Sequence, residues 1–483
     1  MIKEKNLFSS RLKEIAVIAI PVACQNLLST TGSLVDTMML ATLGETTVSA
    51  TAMCAQFSGL FVFFYWGFVA GGTMFITQYW GARDDDGICR AYGLSSCLIL
   101  GMGLIFGILS VVFPELVMGI YTDKPEIQAI GIRYFRIMGV TFPLQSLIMA
   151  LSMLLRSIER VRIPLIGGIV AVVSNCCLNY ILIFGKFGAP ALGVEGAAIG
   201  TVIASCLNLT VILVSILLFK VPYALELRKS FRWNKTFVRE YFQRSSLIMF
   251  SECSSGLANT LVNVVLGRQS AIAISAVAIF RTLENMVWAF FTGFSSAGSI
   301  ITGKEVGAGN HEVAQSKTVF IVYLTSICMG LICLGVLVLH VPLFTLLGLS
   351  GESFTTCRTL WIIYCVVAMI RFGYWQQTDC FRSGGDALFG TVLGLATTYL
   401  LMIPGVYIAH FGFQASFFVI AVMMYSNEPL NYTLSQIHLY SRKWIQPVSD
   451  KGLATIGAFR EKYGVVPGYP VLEALGRVLK LKK

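Results

Sequence analysis

From about residue 15 to residue 438 the chain alternates long apolar runs with short polar breaks. A helix rising about 1.5 Å per residue needs roughly 20 apolar residues to cross a bilayer, and runs of that length recur from end to end. The pattern predicts twelve spanning helices at 15–41, 48–78, 91–113, 129–154, 163–185, 195–219, 243–266, 273–302, 314–339, 355–380, 385–410 and 412–438. It lacks the two-residue alternation of barrel strands, so the expected class is an all-α polytopic membrane protein. The first run is too long for a signal-peptide core and has no convincing small-residue cleavage site, so it reads as the first span. After 438 the chain turns polar, which predicts a solvated cytoplasmic tail with an amphipathic helix near 470–482.

The pattern also repeats. QYWGARDDDGICRA at 78–91 and GKEVGAGNHEVAQS at 303–316 share a helix end, a Gly-Ala pair and a polar turn, with Gly81 and Gly307 standing 226 positions apart. LLRSIERVRIP at 154–164 and CFRSGGDALFG at 380–390 place Arg156 and Arg382 at the same offset. So do FVFFYWGF at 61–68 and VWAFFTGF at 287–294, through Phe68 and Phe294. A duplication of six helices, an even number, puts both halves into the membrane in one orientation. The expectation is two six-helix lobes, 1–219 and 245–438, related by a pseudo-two-fold axis along the membrane normal with a substrate pathway between them. Residues 220–244 link the lobes and 439–483 form the tail.

Composition agrees with a membrane chain. Of 483 residues 56% are hydrophobic and 13% charged, with mean hydropathy +0.74, whereas a soluble domain carries about 25% charge. The net charge of +11 does not point to nucleic acid, because its placement is loop by loop. Arg83 and Arg90, then Arg156, Arg160 and Arg162, then Arg228, Lys229, Arg232, Lys235, Arg239 and Arg244 follow the even helices. The loops after odd helices hold only Lys124, Lys186 and Arg268. That is the positive-inside bias, and it predicts both termini and the linker on the cytoplasmic side of the plasma (inner) membrane. The cysteines lie mostly in apolar runs without metal-ligand or redox spacing, and no phosphate loop, HExxH or nucleophile elbow is present. The chain therefore reads as a transporter without cofactor or enzymatic activity, driven by an ion gradient or acting as a passive or flippase-like carrier.

Intramembrane charges are functional candidates because they are costly. Asp36 stands near the end of the first span, about four turns after Pro21, and a proline marks where a helix can bend. Asn175 and Asn179, four apart, share a face of the fifth helix, and Thr201 opens the sixth. One carboxylate with neutral oxygens suits a sodium ion, since hard cations take oxygen ligands. The same carboxyl can instead hold a proton, because apolar surroundings favour the neutral acid. The asparagines alone could equally be interhelical glue. In the second lobe Glu252 has no opposite charge nearby in its own helix and is the better candidate for a cation or proton. Arg281, Glu284, Arg371 and Asp379 form a possible neutralised network. The 17 Met and 12% aromatic content suit a promiscuous pocket for organic cations, though packing accounts for most of these residues.

VDTMMLATLGETTVSA at 35–50, ITQYWGARD at 76–84, NCCLNYILIFG leading to GAPALGVEGAAIGTVIA at 188–204, and FRSGGD at 381–386 resemble the multidrug and toxic compound extrusion (MATE) family. The similarity runs from about 15 to 440. It implies two six-helix bundles around a V-shaped cavity and export of cationic or amphipathic drugs against sodium or proton entry, by a monomer in contact with membrane lipids. It also implies a coupling site of Asp36, Asn175, Asn179 and Thr201, with Glu252 as the second-lobe acid of the sodium-coupled bacterial branch. Two positions depart from the family: Asn179 stands where relatives often have Asp, and Arg371 is expected where that branch has a helix-ten acid, within reach of Glu252. A flippase for a lipid-linked sugar, from the same wider superfamily, is the alternative.

Overall fold

The computed structural model describes residues 2–465, so the amphipathic helix predicted near 470–482 lies outside the described residues. Twelve membrane paths, α1–α12, account for the apolar runs. In the first lobe these are α1 Ile2–Ala41, α2 Glu45–Ala82 and α3 Asp85–Val112. Next comes α4, a pair Pro125–Met138 and Thr141–Ser157 bent by 45°, followed by α5 Arg162–Phe184 and α6 Val194–Leu218. The second lobe has α7 Lys235–Leu266, α8 Ala271–Gly307, α9 His311–Val338 and α10 Gly351–Ser383. It ends with α11 Ala387–Gly412 and α12, which is split into Phe417–Met423 and Glu428–Ser441. Side-chain caps start several of them: Asp84 accepts from Gly87 N at 2.9 Å before α3, and Asn234 from Phe237 N at 2.7 Å before α7.

Among the described residues nine helices are each long and apolar enough to cross a membrane, or ten with the bent pair. The two that fall short carry the polar interior of the second lobe. Glu252, Asn259 and Asn263 lower the hydropathy of α7, which packs against α2 and α11. The predicted twelfth span is broken at Ser-Asn-Glu-Pro, where Pro429 sits in the first turn of the second segment. In α11, Pro404 lacks the N–H that would continue the helix, and wide π turns flank it at Thr398–Met402 and Ile408–Gly412. Tyr399 and Tyr407 tie this loosened helix to α7 by donating to Ser254 O at 2.8 Å and Leu261 O at 3.1 Å.

The lobes meet as the repeat requires. α1 packs on α8, its repeat mate α7 packs on α2, and α2 packs on α8. Glycines permit the approach at equivalent positions. A Cβ on Gly81 would strike Lys304 O and one on Gly307 would strike Gln78 O; Gly67 faces Met249 while Gly293 faces Ala23. Each of these pairs maps onto the other at the 226-residue offset. All four glycines lie in the halves of α2 and α8 that run toward the basic loops, so that end of the molecule is shut. Ion pairs reinforce it: Lys304 with Glu159 at 2.6 Å, and Lys317 with both Glu14 and Glu305 at 2.8 Å.

The expectation of a solvated tail is corrected over residues 444–463. Trp444 is fully buried and its indole donates to Gln315 Oε1 at 3.0 Å. Gln446 N donates to Gly384 O at 2.8 Å, and α13, Asp450–Tyr463, packs Ile456 and Phe459 against Val306 and Ala314. Apolar residues every three or four positions made this a docked helix, although its mean polarity resembled a loop. The linker is also shorter than read, because α7 begins at Lys235. The aromatic runs form lobe interiors: Phe61 and Tyr65 pack with Phe106 and Phe142, and Trp288 with Phe372.

Candidate functional site

The first-lobe candidates converge. α1 carries Asp36 to the face of α5 that holds Asn175 and Asn179, and Thr201 of α6 closes the group. Asn179 is buried and donates from Nδ2 to Asp36 Oδ1 at 2.7 Å. With its amide nitrogen toward the acid, Asn175 reaches Asp36 Oδ1 and Oδ2 at 2.9 and 3.0 Å and accepts from Thr201 Oγ1 at 3.2 Å. Gly200 makes room for Asn179, since a Cβ there would strike its amide oxygen. That oxygen is buried and has no hydrogen-bond partner among the described residues. A carboxylate, two amides and a hydroxyl, with one amide oxygen free, form an oxygen-rich site that fits a small hard cation. Among the described residues no group of three or more His, Cys, Asp or Glu could hold a metal, so any cation here would lean on neutral oxygens.

Pro21 lies inside α1, between two stretches with different partners. Before and around it, Ile15, Ile18, Ala19 and Val22 pack with Ala297, Ile300 and Ile301 of α8. Beyond it, Asn26 donates to Val22 O at 3.0 Å and to Thr292 Oγ1 at 2.7 Å, and the helix then runs on to Asp36. Contacts with the second lobe thus extend about a turn past the proline, to Asn26, and the end of the helix beyond them is docked on the first lobe through Asp36.

In the second lobe the predicted groupings are corrected. Glu252 does not meet Arg371; its partner is Arg382, whose Nη1 lies 3.0 Å from Glu252 Oε1 and 3.7 Å from Asp379 Oδ1. The helix-ten acid beside Glu252 is thus Asp379, which also accepts from Ser295 Oγ at 2.6 Å. Arg371 belongs to a separate cluster. It lies 3.4 Å from Glu284 and 3.5 Å from Glu428, with its guanidinium over the rings of Trp288, Tyr364 and Tyr425 at 5.2–5.7 Å. Arg281 joins it through Glu284 at 3.2 Å. Sequence reasoning missed Arg382 and Glu428 because both sit at helix ends, where a charge normally reads as loop. The clue was the 226-residue match of Arg382 to Arg156. A cavity of about 60 Å³ between the clusters is lined by Ser251, Tyr374, Thr378, Arg382, Glu428 and Asn431.

Two stretches, residues 21–181 and 248–408, each match the MatE family. The chain belongs to the MatE family. The two matches fall one on each lobe, so this MatE protein carries the family unit twice. Its relatives include the "Uncharacterized transporter YisQ" of Bacillus subtilis, 23% identical over 87% of this chain and 91% of that one. The "Probable multidrug resistance protein YoeA" of the same organism is 21% identical over 88% and 95%. Among solved structures, an outward-facing multidrug resistance MATE transporter superposes with a TM-score of 0.79 at 15% identity, covering 90% of this chain and 97% of its own. A MATE protein in complex with MaL6 gives 0.80 at 16% identity, over the same shares of the two chains. The fold is that of a two-lobe MATE transporter, and the protein is a multi-pass membrane protein.

Proposed function

We propose that this MatE protein exports cationic or amphipathic drugs across the plasma membrane in exchange for a proton or sodium ion bound at Asp36. The observation that carries the reading is the convergence of Asp36, Asn175, Asn179 and Thr201 from three helices, one of them interrupted by Pro21. The Asn175 amide faces the carboxyl with either end. Nitrogen inward, it donates to an ionised Asp36; oxygen inward, at the same 2.9–3.0 Å, it needs a proton on Asp36 to make the contact. The amide can thus follow the charge on Asp36 with no backbone movement. Relatives named as probable multidrug resistance proteins support the substrate class, and the basic loops support a cytoplasmic shut end with both termini on that side.

In this cycle the ion enters Asp36 from outside while the cytoplasmic end is closed, α1 bends near Pro21, and the drug leaves as its space collapses. Ion release to the cytoplasm then resets the site. Glu252 and Asp379 already share a built-in cation, Arg382, so this reading assigns the coupling ion to Asp36. Asp36→Asn keeps the shape and the hydrogen bonds but cannot cycle its charge. The expected outcome is loss of drug resistance in cells with normal membrane expression; full resistance in a well-expressed variant refutes the role. Efflux from proteoliposomes with sodium and proton gradients imposed separately identifies the ion. The flippase reading calls for a strongly basic cavity for a diphosphate, and here the intramembrane arginines of the second lobe are each paired with acids.

A further inference from the structure

Arg156 and Arg382 hold the same place in the two repeats, yet their surroundings differ. Arg382 is neutralised by Glu252 and Asp379. The first-lobe positions that match those acids, 226 residues earlier, are Asn26 and Met153. Asn26 spends its amide on Val22 O and Thr292, and Met153 is buried against Gly72. Among the described residues Arg156 is left with one hydrogen-bond partner, the neutral Gln25 Oε1 at 2.7 Å from Nη2. Its Nε is buried without a partner, and among the described residues no carboxylate lies within ion-pair distance. The sequence pattern counts Arg156 as a loop charge, but α4 runs on to Ser157 and brings it beside Gln25, midway along α1; an unpaired guanidinium held there stays charged and is costly enough to mark a functional site.

The position of Gln25 indicates what the charge faces. It begins a polar stripe along α1, in which Ser29 donates to Gln25 O, Ser33 to Ser29 O and Thr37 to Ser33 O, at 2.9–3.1 Å. Residues four apart share one helix face, and Ser29, Ser33 and Thr37 are exposed. Asp36 adjoins the far end of this stripe. Gln25, which holds Arg156, and Asp36 therefore stand at opposite ends of one polar track, about 16 Å apart along the axis of α1. An anion that displaces the Gln25 amide from Nη2 would uncover the buried, unpartnered Nε beside it and complete the fork by which guanidinium binds a carboxylate.

We propose that Arg156 binds a carboxylate of the transported molecule, so that the first-lobe path accepts zwitterionic amphiphiles with the cationic part toward Asp36. The inference rests on the export reading above and adds to it a site for negative charge. The test uses two dyes that differ only at this group: rhodamine 110, with a free carboxylate, and rhodamine 123, its methyl ester. Efflux of each is measured in proteoliposomes carrying wild-type protein, Arg156→Gln or Arg156→Lys. Wild type is expected to move both dyes. Arg156→Gln is expected to lose rhodamine 110 transport by roughly tenfold or more while moving rhodamine 123 within about twofold of wild type. Arg156→Lys keeps the charge but not the fork and is expected to show a smaller loss confined to rhodamine 110. It carries the test alone where Arg156→Gln fails to fold. Equal losses for both dyes, or an unchanged ratio between them in the folded variants, would overturn the proposal and make Arg156 a strut between α4 and α1. Wild-type transport of rhodamine 123 without rhodamine 110 would also overturn it while leaving the export reading intact. Transport of neither dye by wild type would overturn both.

Discussion

Arg371 shows how a charge that reads as an anomaly in a span is accommodated. It stands between Glu284 and Glu428, at 3.4 and 3.5 Å, with three aromatic rings around its guanidinium. Removing one partner from a buried ionic group leaves the remaining charges without compensation, which costs about 3–5 kcal/mol. Arg371→Met is therefore expected to lower the thermal midpoint of the purified protein strongly, because two carboxylates are left facing each other. The double variant Arg371→Met, Glu428→Gln is expected to recover most of that loss, since Glu284 stays paired with Arg281 at 3.2 Å and the cluster is balanced again. A double variant no more stable than Arg371→Met would show that the arginine acts through packing on Trp288, Tyr364 and Tyr425 instead. The same residue-level logic separates the two lobes: acid positions beside Arg382 are filled by Glu252 and Asp379, and beside Arg156 by Asn26 and Met153.

At the scale of the element, α1 combines a hinge and a cargo. Its lower portion is packed on α8 through Ile15, Ile18 and Val22, and its upper portion delivers Asp36 to Asn179. A proline inside a helix removes one backbone hydrogen bond and costs about 3 kcal/mol. Pro21→Ala is expected to raise the thermal stability of the protein while slowing drug efflux, because the straight helix gains the bond that bending must break. Efflux at the wild-type rate in a stabilised variant would mean that α1 moves as a rigid rod. The two wide turns around Pro404 in α11 show the same relief in the second lobe, held there by Tyr399 and Tyr407.

At the scale of the whole molecule, the shut end is built from both repeats and the tail together. Gln78 of α2 is fully buried; it donates to Ser383 O at 2.8 Å and accepts from Val448 N at 2.7 Å. One side chain of the first lobe thus bonds to the end of α10 and to the tail, and Ser449 completes the seam by donating to Gly307 O at 2.7 Å. Gln78→Leu leaves the buried Ser383 carbonyl and the part-buried Val448 N–H unpaired, the first at a cost of about 1–3 kcal/mol and the second at less. Hydrogen exchange is expected to rise in residues 444–463 and at the adjoining ends of α2 and α8, with α5 and α6 unchanged. Exchange confined to α2 would show that the tail is held by the second lobe alone.

The apolar runs were enough to determine an all-α membrane protein, and the 226-residue repeat its two lobes, because helix length and hydropathy are local properties of the chain. Asp36, Asn175, Asn179 and Thr201 were legible as candidates for the same reason: a polar group in a greasy helix stands out one residue at a time. Which charges pair was decided only by packing. Glu252 lies 119 positions from Arg371 and 130 from Arg382, and only the crossing of α7 with α10 selects the second. The docking of the tail was hidden for a related reason. Its four buried apolar residues, Trp444, Ile445, Ile456 and Phe459, are diluted among charges in sequence and become a core only when α8, α9 and α10 bring Val306, Ala314 and Phe381 beneath them. The sequence by itself determined which residues cannot face lipid; the tertiary structure decided what they face instead, because a charge is neutralised by whatever the fold places within a few ångströms of it.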